Sequence, residues 1–213
     1  MKPISLLLLI LLFKASCFMS LSTASTPPLS TPSAQFTILV WGDSLSAAYG
    51  IPVAQGWVQQ LKNALGTKAT IINRSISGET TQGGLSRLPQ ALAQDQPKLV
   101  ILELGANDGL RGQPIVQMQH NLQQMIELAQ AAQAKVVLLG MKLPPNYGLT
   151  YTQQFEAVYA QLAQHYQLPF VPFVLQAIAE DFSLMQADGI HPTAAAQSRI
   201  LEAILPTLNP LIP

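Results

Sequence analysis

The sequence predicts an α/β protein, with a three-layer α/β/α domain around a doubly wound sheet of five mainly parallel strands. Short apolar runs alternate along the chain with longer amphipathic stretches, and this alternation is typical of parallel sheets covered by helices on both faces. The length of 213 residues suits one domain with a sizeable core. Sites in such sheets form beyond the carboxyl ends of the strands, where the first four runs lead into segments rich in Gly, Ser and Asn.

Apolar runs predict the strands and apolar periodicity predicts the helices. The candidate strands are, in chain order, FTILVW, ATIIN, LVILELG, KVVLLGM and LPFVPF. Between them, apolar residues recur at the spacings of three and four that an amphipathic helix requires, in GWVQQLKNAL, TQGGLSRLPQALAQ, PIVQMQHNLQQMIELAQAAQ and TYTQQFEAVYAQLAQHY. In the longest stretch, one helix face is predicted to hold Ile115, Met118, Leu122, Met125, Ile126 and Ala129. A last helix is expected to start near Thr193.

The N-terminus has the pattern of an export signal. Lys2 precedes the apolar segment Ile4–Phe13, which is too short to span a bilayer. Cleavage near Ala24 makes residues 1–24 a signal peptide and predicts a periplasmic or secreted protein. Lipid attachment at Cys17 is the alternative, which Lys14 disfavours because lipoprotein signals usually have an aliphatic residue at that position. Residues 25–35, STPPLSTPSAQ, are predicted to be a disordered lead-in, and residues 36–213 the folded domain.

Composition argues against several classes of partner. Lys and Arg number 11 and Asp and Glu also number 11, so no excess of cations is available to neutralise the phosphates of a nucleic acid. The only cysteine, Cys17, lies in or beside the signal, so a chain cut near Ala24 has no disulfide and no thiolate. We expect a monomer with no stable membrane span, acting on a small-molecule or lipid substrate.

Ser44 follows the first candidate strand and becomes a nucleophile only if a base removes its proton. Two histidines, His120 and His165, fall inside amphipathic stretches and are predicted to face solvent or to be partly packed. His191 instead lies in QADGIHPTAAAQ, between breakers of regular structure, with Asp188 three residues before it. One turn would bring this carboxylate to the imidazole, as in a Ser-His-Asp triad. The alternative is that Asp-Gly forms an ordinary turn that leads into the last helix.

Acyl transfer also requires hydrogen-bond donors for the oxyanion that forms when a carbonyl is attacked. Three donors are available at the same predicted edge: the Ser44 amide, the Gly78 amide in SISGET and the Asn107 side chain in GANDG. Each has a structural alternative. Gly78 would suit the start of a helix capped by Ser77 or Thr80, and Asn107 would suit an Asx turn.

Four blocks stand in the order and approximate spacing of those of the SGNH hydrolases, also called the GDSL family: GDSL at Gly42–Leu45, SGET with Gly78, GAND with Asn107, and DGIHP with Asp188 and His191. NRSISGETTQGGLSRLP, ELGANDGLRG and LPPNYG also resemble segments of secreted bacterial esterases that act as thioesterase, arylesterase and lysophospholipase. The resemblance runs from about Phe36 to Pro206. Glu79 and Ala106 depart from the family pattern, where Asp and Gly are common, and neither stands at an implied catalytic position.

The resemblance implies a flavodoxin-like sheet, the SGNH hydrolase fold, and a serine esterase mechanism that needs no metal or organic cofactor. Asp43 and Asp108 would fix the turns that present their neighbours. The implied roles are Ser44 as nucleophile, His191 as general base and then acid, Asp188 as the residue that orients His191, and Ser44, Gly78 and Asn107 as the oxyanion hole.

Substrate preference has less support in the sequence. The apolar residues Leu110, Leu143 and Tyr147 would suit an acyl chain or an aromatic leaving group, which favours hydrophobic esters and thioesters over sugars. By resemblance, the loop 143–148 moves over bound acyl chains; by composition alone it is a rigid loop with two prolines.

Three other functions remain open at this stage. A carbohydrate O-deacetylase shares the same four blocks, and a lipid-binding protein without catalysis could retain the fold. A metal phosphoesterase could use as ligands Asp43, Asp108, Asp188 and His191.

Overall fold

A computed structural model describes residues 36–213 of the chain. The predicted signal peptide, residues 1–24, and the predicted lead-in, residues 25–35, lie outside the described residues, as does Cys17.

The five predicted strands form one fully parallel sheet in the order β2-β1-β3-β4-β5, which confirms the flavodoxin-like, doubly wound prediction. The last strand is much shorter than its apolar run suggests, because prolines at 169 and 172 flank it and cannot donate to a sheet ladder. The strands are β1 Thr37–Gly42, β2 Thr70–Asn73, β3 Leu99–Glu103, β4 Lys135–Leu139 and β5 Phe170–Val171.

Helices cover both faces of the sheet. They are α1 Trp57–Leu65, α2 Thr81–Asp95, α3 Ala106–Leu110, α4 Ile115–Ala131, α5 Leu149–His165 and α6 Gln197–Leu208. α1 packs against α6 on one side, whereas α4 packs against α2 and α5 on the other. Two details differ from the sequence prediction: GANDG forms the short helix α3 rather than a loop, and α6 begins after a 3₁₀ turn at Ala194–Ala196.

The core lies on both sides of the sheet. β1 and β3 are buried over nearly their whole length, as expected for central strands of a parallel sheet covered on both faces. The predicted apolar face of α4 is confirmed, with Met118, Leu122, Met125, Ile126 and Ala129 buried and Ile115 partly buried. No helix among residues 36–213 is long and apolar enough to cross a bilayer.

Strand order determines where a site can form. From β1 the chain runs outward to β2 and then returns past β1 to β3, so the order reverses between β1 and β3. The crevice at such a reversal, beyond the carboxyl ends of the strands, is the usual place for a ligand in this fold. The segments that begin at Asp43 and at Leu104 leave the sheet at this point.

Candidate active site

Ser44 lies on a tight turn that follows β1 directly. The Ala47 amide donates to the Asp43 carbonyl and the Tyr49 amide to the Ser44 carbonyl, each at 3.0 Å. The Asp43 carboxylate accepts a hydrogen bond from the Leu45 amide at 3.1 Å, so Asp43 fixes the turn that presents Ser44, as predicted. Ser44 itself is only 8% exposed.

The structure brings Ser44, His191 and Asp188 together. The Ser44 Oγ lies 2.9 Å from His191 Nε2, and Asp188 Oδ2 lies 2.6 Å from His191 Nδ1. The Asp188 side chain also accepts from the Ile190 and His191 amides, at 2.9 and 3.0 Å, so the Asp-Gly turn and the contact with His191 coexist. Hydrogen positions follow from this geometry: a proton on Nδ1 shared with Asp188 leaves Nε2 free to accept from Ser44.

The electrostatics of Asp188 favour its charged form. Partial desolvation by itself would raise the pKa of this carboxyl. Hydrogen bonds from the amide and ring of His191 and from the Ile190 amide outweigh it, and they lower the pKa of Asp188 to about 2. Asp188 is therefore a carboxylate at neutral pH and can stabilise a positive imidazolium beside it.

The other two histidines lie outside the site. His120 on α4 and His165 on α5 are both exposed, as predicted, and the ring of His165 packs edge-on against Tyr166. Within residues 36–213, only His191 has both a serine and a carboxylate as partners.

The three candidate oxyanion donors are attached to the same turn. The Asn107 side chain donates to Asp43 Oδ2 at 3.0 Å, and the Ile76 amide, in the turn that contains Gly78, donates to the Gly42 carbonyl at 3.1 Å. Within residues 36–213, Asn107 uses only one of its two side-chain amide hydrogens. The backbone amides of Ser44 and Gly78 donate to no acceptor in the same part of the chain. All three groups therefore retain a donor for a substrate oxygen.

The structural alternative for Gly78 is partly confirmed. Thr80 caps α2, since its hydroxyl accepts from the Gly83 amide at 3.3 Å, and Gly78 lies two residues earlier with a φ of +78°. The Gly78 carbonyl is held by Arg111 Nη2 at 2.9 Å. Arg111 follows α3, so this contact joins the Gly78 turn to the helix that bears Asn107.

A buried carboxyl that the sequence analysis missed lies beneath the nucleophile turn. Glu103, the last residue of β3, accepts hydrogen bonds at Oε2 from the Ser46 hydroxyl at 2.7 Å and from the Asp43 amide at 3.2 Å. Its Oε1 has no hydrogen-bond partner among the described residues, and the charge of Asp43 acts on this carboxyl. The signal that could have revealed it is a charged residue inside the apolar run LVILELG.

The two acids share one buried environment. Burial raises the pKa of Asp43 to about 6, although the hydrogen bond from the Leu45 amide opposes the shift. Burial, and then repulsion from Asp43, raises the pKa of Glu103 well above its usual value. Burial and repulsion from Asp43 therefore favour the neutral form of Glu103, while the Asp43 carboxylate accepts from Asn107 and Leu45.

A pH-dependent stability follows from this pair. Because the pKa of Glu103 is higher in the folded than in the unfolded state, the unfolded state releases this proton first. The contribution of Glu103 to the free energy of unfolding therefore decreases as pH rises above about 5. Glu103→Gln removes this titration. We expect its free energy of unfolding, relative to wild type, to increase between pH 5 and 7 by up to about 1.4 kcal/mol per pH unit. Urea unfolding at several pH values measures it, with exposed Glu202→Gln as the control; a difference independent of pH would contradict a protonated Glu103.

Asp108 has a structural role that differs from the one predicted. It does not fix a turn for its neighbour; its carboxylate accepts from the amide and the hydroxyl of Thr81, the first residue of α2. This contact joins α3 to α2. Within residues 36–213, no three His, Cys, Asp or Glu side chains converge as ligands for a metal ion, so the residues named for the phosphoesterase alternative do not form such a site.

The candidate substrate residues lie beside α3. The Tyr147 hydroxyl donates to the Leu110 carbonyl at 3.0 Å, and the Tyr147 side chain is partly exposed at this edge. Leu143 is buried and packs against Gly109, so it belongs to the floor beneath this region rather than to its open surface.

An α/β/α fold with a Ser-His-Asp chain and unused amide donors at the carboxyl edge of its sheet defines the class of α/β serine hydrolases. Sequence comparison places the protein within that class. The chain belongs to the GDSL-like lipase/acylhydrolase family, whose sequence model matches residues 40–199. This confirms the resemblance to the SGNH hydrolases.

Characterised relatives cover most of the chain. Esterase TesA of Pseudomonas aeruginosa is 49% identical over 187 residues, which make up 86% of this chain and 93% of that protein. Thioesterase 1/protease 1/lysophospholipase L1 of Escherichia coli is 41% identical over 176 residues, 83% of this chain and 85% of that protein. The crystal structure of the psychrotrophic esterase EstA from Pseudoalteromonas sp., inhibited by monoethylphosphonate, matches with a TM-score of 0.77 and 40% identity, over 82% of this chain and 97% of that one.

Proposed function

We propose that the protein is a serine esterase that hydrolyses carboxylic esters and thioesters of hydrophobic acyl or aryl groups through an acyl-enzyme. Ser44 is the nucleophile, His191 the general base and acid, and Asp188 the residue that orients His191. The observation that supports this most is the Ser44 Oγ to His191 Nε2 distance of 2.9 Å, with Asp188 on the opposite ring nitrogen. No metal or organic cofactor takes part in the proposed reaction.

The first half of the reaction forms the acyl-enzyme. His191 Nε2 takes the proton as Ser44 Oγ attacks the ester carbonyl carbon, and the carbonyl π electrons move to oxygen. The resulting oxyanion is held by the Ser44 and Gly78 amides and the Asn107 side chain. When the tetrahedral species collapses, the bond to the leaving oxygen or sulfur breaks and the imidazolium of His191 gives that atom its proton.

The second half reverses these roles with water. Water loses a proton to His191 Nε2 and attacks the acyl carbon, and the same donors stabilise the second oxyanion. The Ser44 ester bond then breaks, Oγ regains the proton, and the carboxylic acid leaves. Asp188 remains ionised throughout and holds the ring so that Nε2 faces Ser44.

The preferred substrates follow from the surface beside the site. Leu110 lies on α3 with Asn107, the Tyr147 hydroxyl contacts the Leu110 carbonyl, and Leu143 packs beneath Gly109 of the same helix. These side chains would suit an acyl chain or an aryl group. The names of the Pseudomonas and Escherichia relatives, an esterase and a thioesterase/lysophospholipase, are consistent with such substrates. We therefore propose hydrophobic esters and thioesters, including lipid esters, as substrates.

A substrate series tests this proposal. The purified protein is assayed on p-nitrophenyl esters from acetate to longer acyl chains, on acyl thioesters and on acetylated xylan. The proposal predicts turnover of chains longer than acetate and of thioesters. Activity confined to acetylated xylan would favour a carbohydrate O-deacetylase, and failure of a serine-reactive phosphonate to label folded protein would favour a lipid-binding protein.

We also propose that the chain is exported and that the domain, residues 36–213, acts as a monomer. The support for export is the signal pattern at Lys2 and Ile4–Phe13, followed by a small-residue site near Ala24. N-terminal sequencing of the protein from the periplasm or medium tests this, and a mature chain that starts near residue 25 is expected. A lipid-modified chain that starts at Cys17 would support the alternative, and light scattering measures the oligomeric state.

Asp188→Asn should lower kcat by about 10² to 10⁴-fold, less than the loss of the base itself. The amide can still touch the His191 ring, but it no longer offers a carboxylate to stabilise the imidazolium. Steady-state kinetics on a p-nitrophenyl ester measure this, with exposed Asp181→Asn as the control. A kcat for Asp188→Asn within a few-fold of wild type would remove Asp188 from its proposed role.

A further inference from the structure

Ser44 and His191 lie on different segments of the chain, 147 residues apart. The hydrogen bond between Ser44 and His191 cannot by itself fix their separation. In each half of the reaction its proton is transferred, so the bond is lost and must form again. A second connection is needed to hold the segments together while the proton is elsewhere. The described residues contain such a connection in the side chain of Gln186.

Gln186 is part of the hairpin that bears His191. Its amide donates to the His191 carbonyl at 2.7 Å, and its carbonyl accepts from the Gly189 amide at 2.9 Å. Met185 and Pro192 form an isolated antiparallel bridge at the base of the same hairpin. The backbone of Gln186 therefore has a fixed position relative to His191 and Asp188.

The side chain of Gln186 joins this hairpin to the nucleophile turn. Its Nε2 donates to the Pro192 carbonyl at 2.9 Å and to the Tyr49 carbonyl at 2.8 Å. A primary amide has two hydrogens in one plane, so both are used, one on each segment. Tyr49 is itself bonded through its amide to the Ser44 carbonyl, and its ring lies 4.5 Å from that of His191 between centroids.

The backbone of the nucleophile turn leaves room for this side chain. Gly50 has a φ of +73°, and a Cβ at that position would lie 2.1 Å from Gln186 Oε1. Glycine both adopts this φ without strain and allows the amide of Gln186 to approach the Tyr49 carbonyl. The turn and the side chain are thus complementary in shape as well as in hydrogen bonding.

We propose that Gln186 is a positioning residue for the reaction, which sets the separation of Ser44 and His191 by linking the Tyr49 and Pro192 carbonyls through one planar amide. The proposal rests on the proposed function and adds a residue to it. Gln186 touches neither the reacting atoms nor His191 through its side chain, so it acts by restricting how far the two segments move apart.

The fold should survive the loss of this link. A second glutamine, Gln197, is buried and connects the same region to α1, accepting from the Trp57 amide at 3.0 Å and donating to the Thr193 carbonyl at 3.3 Å. This deeper contact keeps the base of the hairpin attached to the domain. Gln186 is only partly buried, so its replacement affects the local separation of the segments more than the stability of the fold.

Gln186→Met tests the proposal, because methionine has a similar length and no amide hydrogens. Active sites are first counted by complete reaction with an aryl phosphonate, and kcat is expressed per labelled site. We expect kcat per site to fall about 10- to 100-fold, since small misplacements of reacting groups cost this much, with KM changed by less than about twofold. The melting temperature should fall by no more than about 2 to 4 °C.

Two further variants complete the experiment. Gln119→Met, which alters a half-buried glutamine on α4 whose side chain bonds only Gln161 among residues 36–213, should match wild type in every measurement. Gly50→Ala should lower kcat per site in the same way. The double variant Gly50→Ala/Gln186→Ala should lose less kcat than the product of its two single losses, because the shorter side chain at position 186 removes the clash.

Two results would overturn the role of Gln186: a kcat per labelled site within about twofold of wild type, or a loss that consists only of fewer labelled sites or a higher KM. Wild-type turnover and wild-type labelling test the proposed function separately. An active wild type with an unaffected Gln186→Met variant would therefore remove this inference alone.

Discussion

Ser44→Ala should lower kcat for a p-nitrophenyl ester by about 10⁴ to 10⁶-fold while the protein remains folded. Removal of Oγ eliminates the atom that would form the acyl-enzyme. The oxyanion donors remain, because the Ser44 amide belongs to the backbone, so a small residual rate above that of water is expected. The fold is preserved because the side chain contributes only its hydrogen bond with His191 and a weak contact of 3.4 Å to Asp43.

The measurement needs a control for contaminating esterases and for unfolding. Ser86→Ala, which alters an exposed serine on α2, is purified in parallel and should retain wild-type kinetics. Circular dichroism and thermal unfolding of both variants should agree with wild type. If folded Ser44→Ala retains more than about a tenth of the wild-type kcat, another group is the nucleophile.

His191→Ala should cause a loss of the same order, because the serine hydroxyl is almost entirely protonated at neutral pH without its base. The combined variant Ser44→Ala/His191→Ala should be little worse than either alone, since the two residues act as one unit. Kinetics of the two single variants and the combined variant on one ester form the test. His165→Ala, at an exposed histidine of α5, is the matched control.

Losses that multiply in the combined variant would contradict this account. They would mean that Ser44 and His191 contribute to separate steps instead of sharing one proton transfer. A near-normal kcat for His191→Ala would mean that His191 is not the general base. No other histidine among residues 36–213 contacts Ser44 to replace it.

The alternation of apolar and amphipathic segments was enough to predict the sheet and its main helices. That pattern is strong because β1 and β3 are covered on both faces and α4 buries one continuous stripe. It fails where an element is too short to show a period. α3 has five residues and a composition typical of a turn, and β5 keeps only two residues between its flanking prolines.

The site was predictable to the extent that its chemistry depends on particular residue types. Ser44, His191 and Asp188 are the residue types that acyl transfer requires, so their side chains could be recognised in the sequence. Gln186 could not, because a loop glutamine has no fixed meaning until the chain folds. Glu103 was marked only as a charged residue inside an apolar run, which does not reveal its partners. The contacts of these two residues join segments 57 and 137 residues apart, to Ser46 and to Tyr49, and only the structure brings these together.

The central claim is that Ser44 is made nucleophilic by His191, and phosphonate labelling tests it most directly. Wild-type protein is treated with an aryl phosphonate, digested, and mapped by mass spectrometry, with Ser44→Ala and His191→Ala treated alike. We predict one label per chain on Ser44, turnover lost in proportion to labelling, no label on Ser44→Ala, and labelling of His191→Ala slowed by orders of magnitude. A label on another residue, or labelling of Ser44 at an unchanged rate in His191→Ala, would contradict the account.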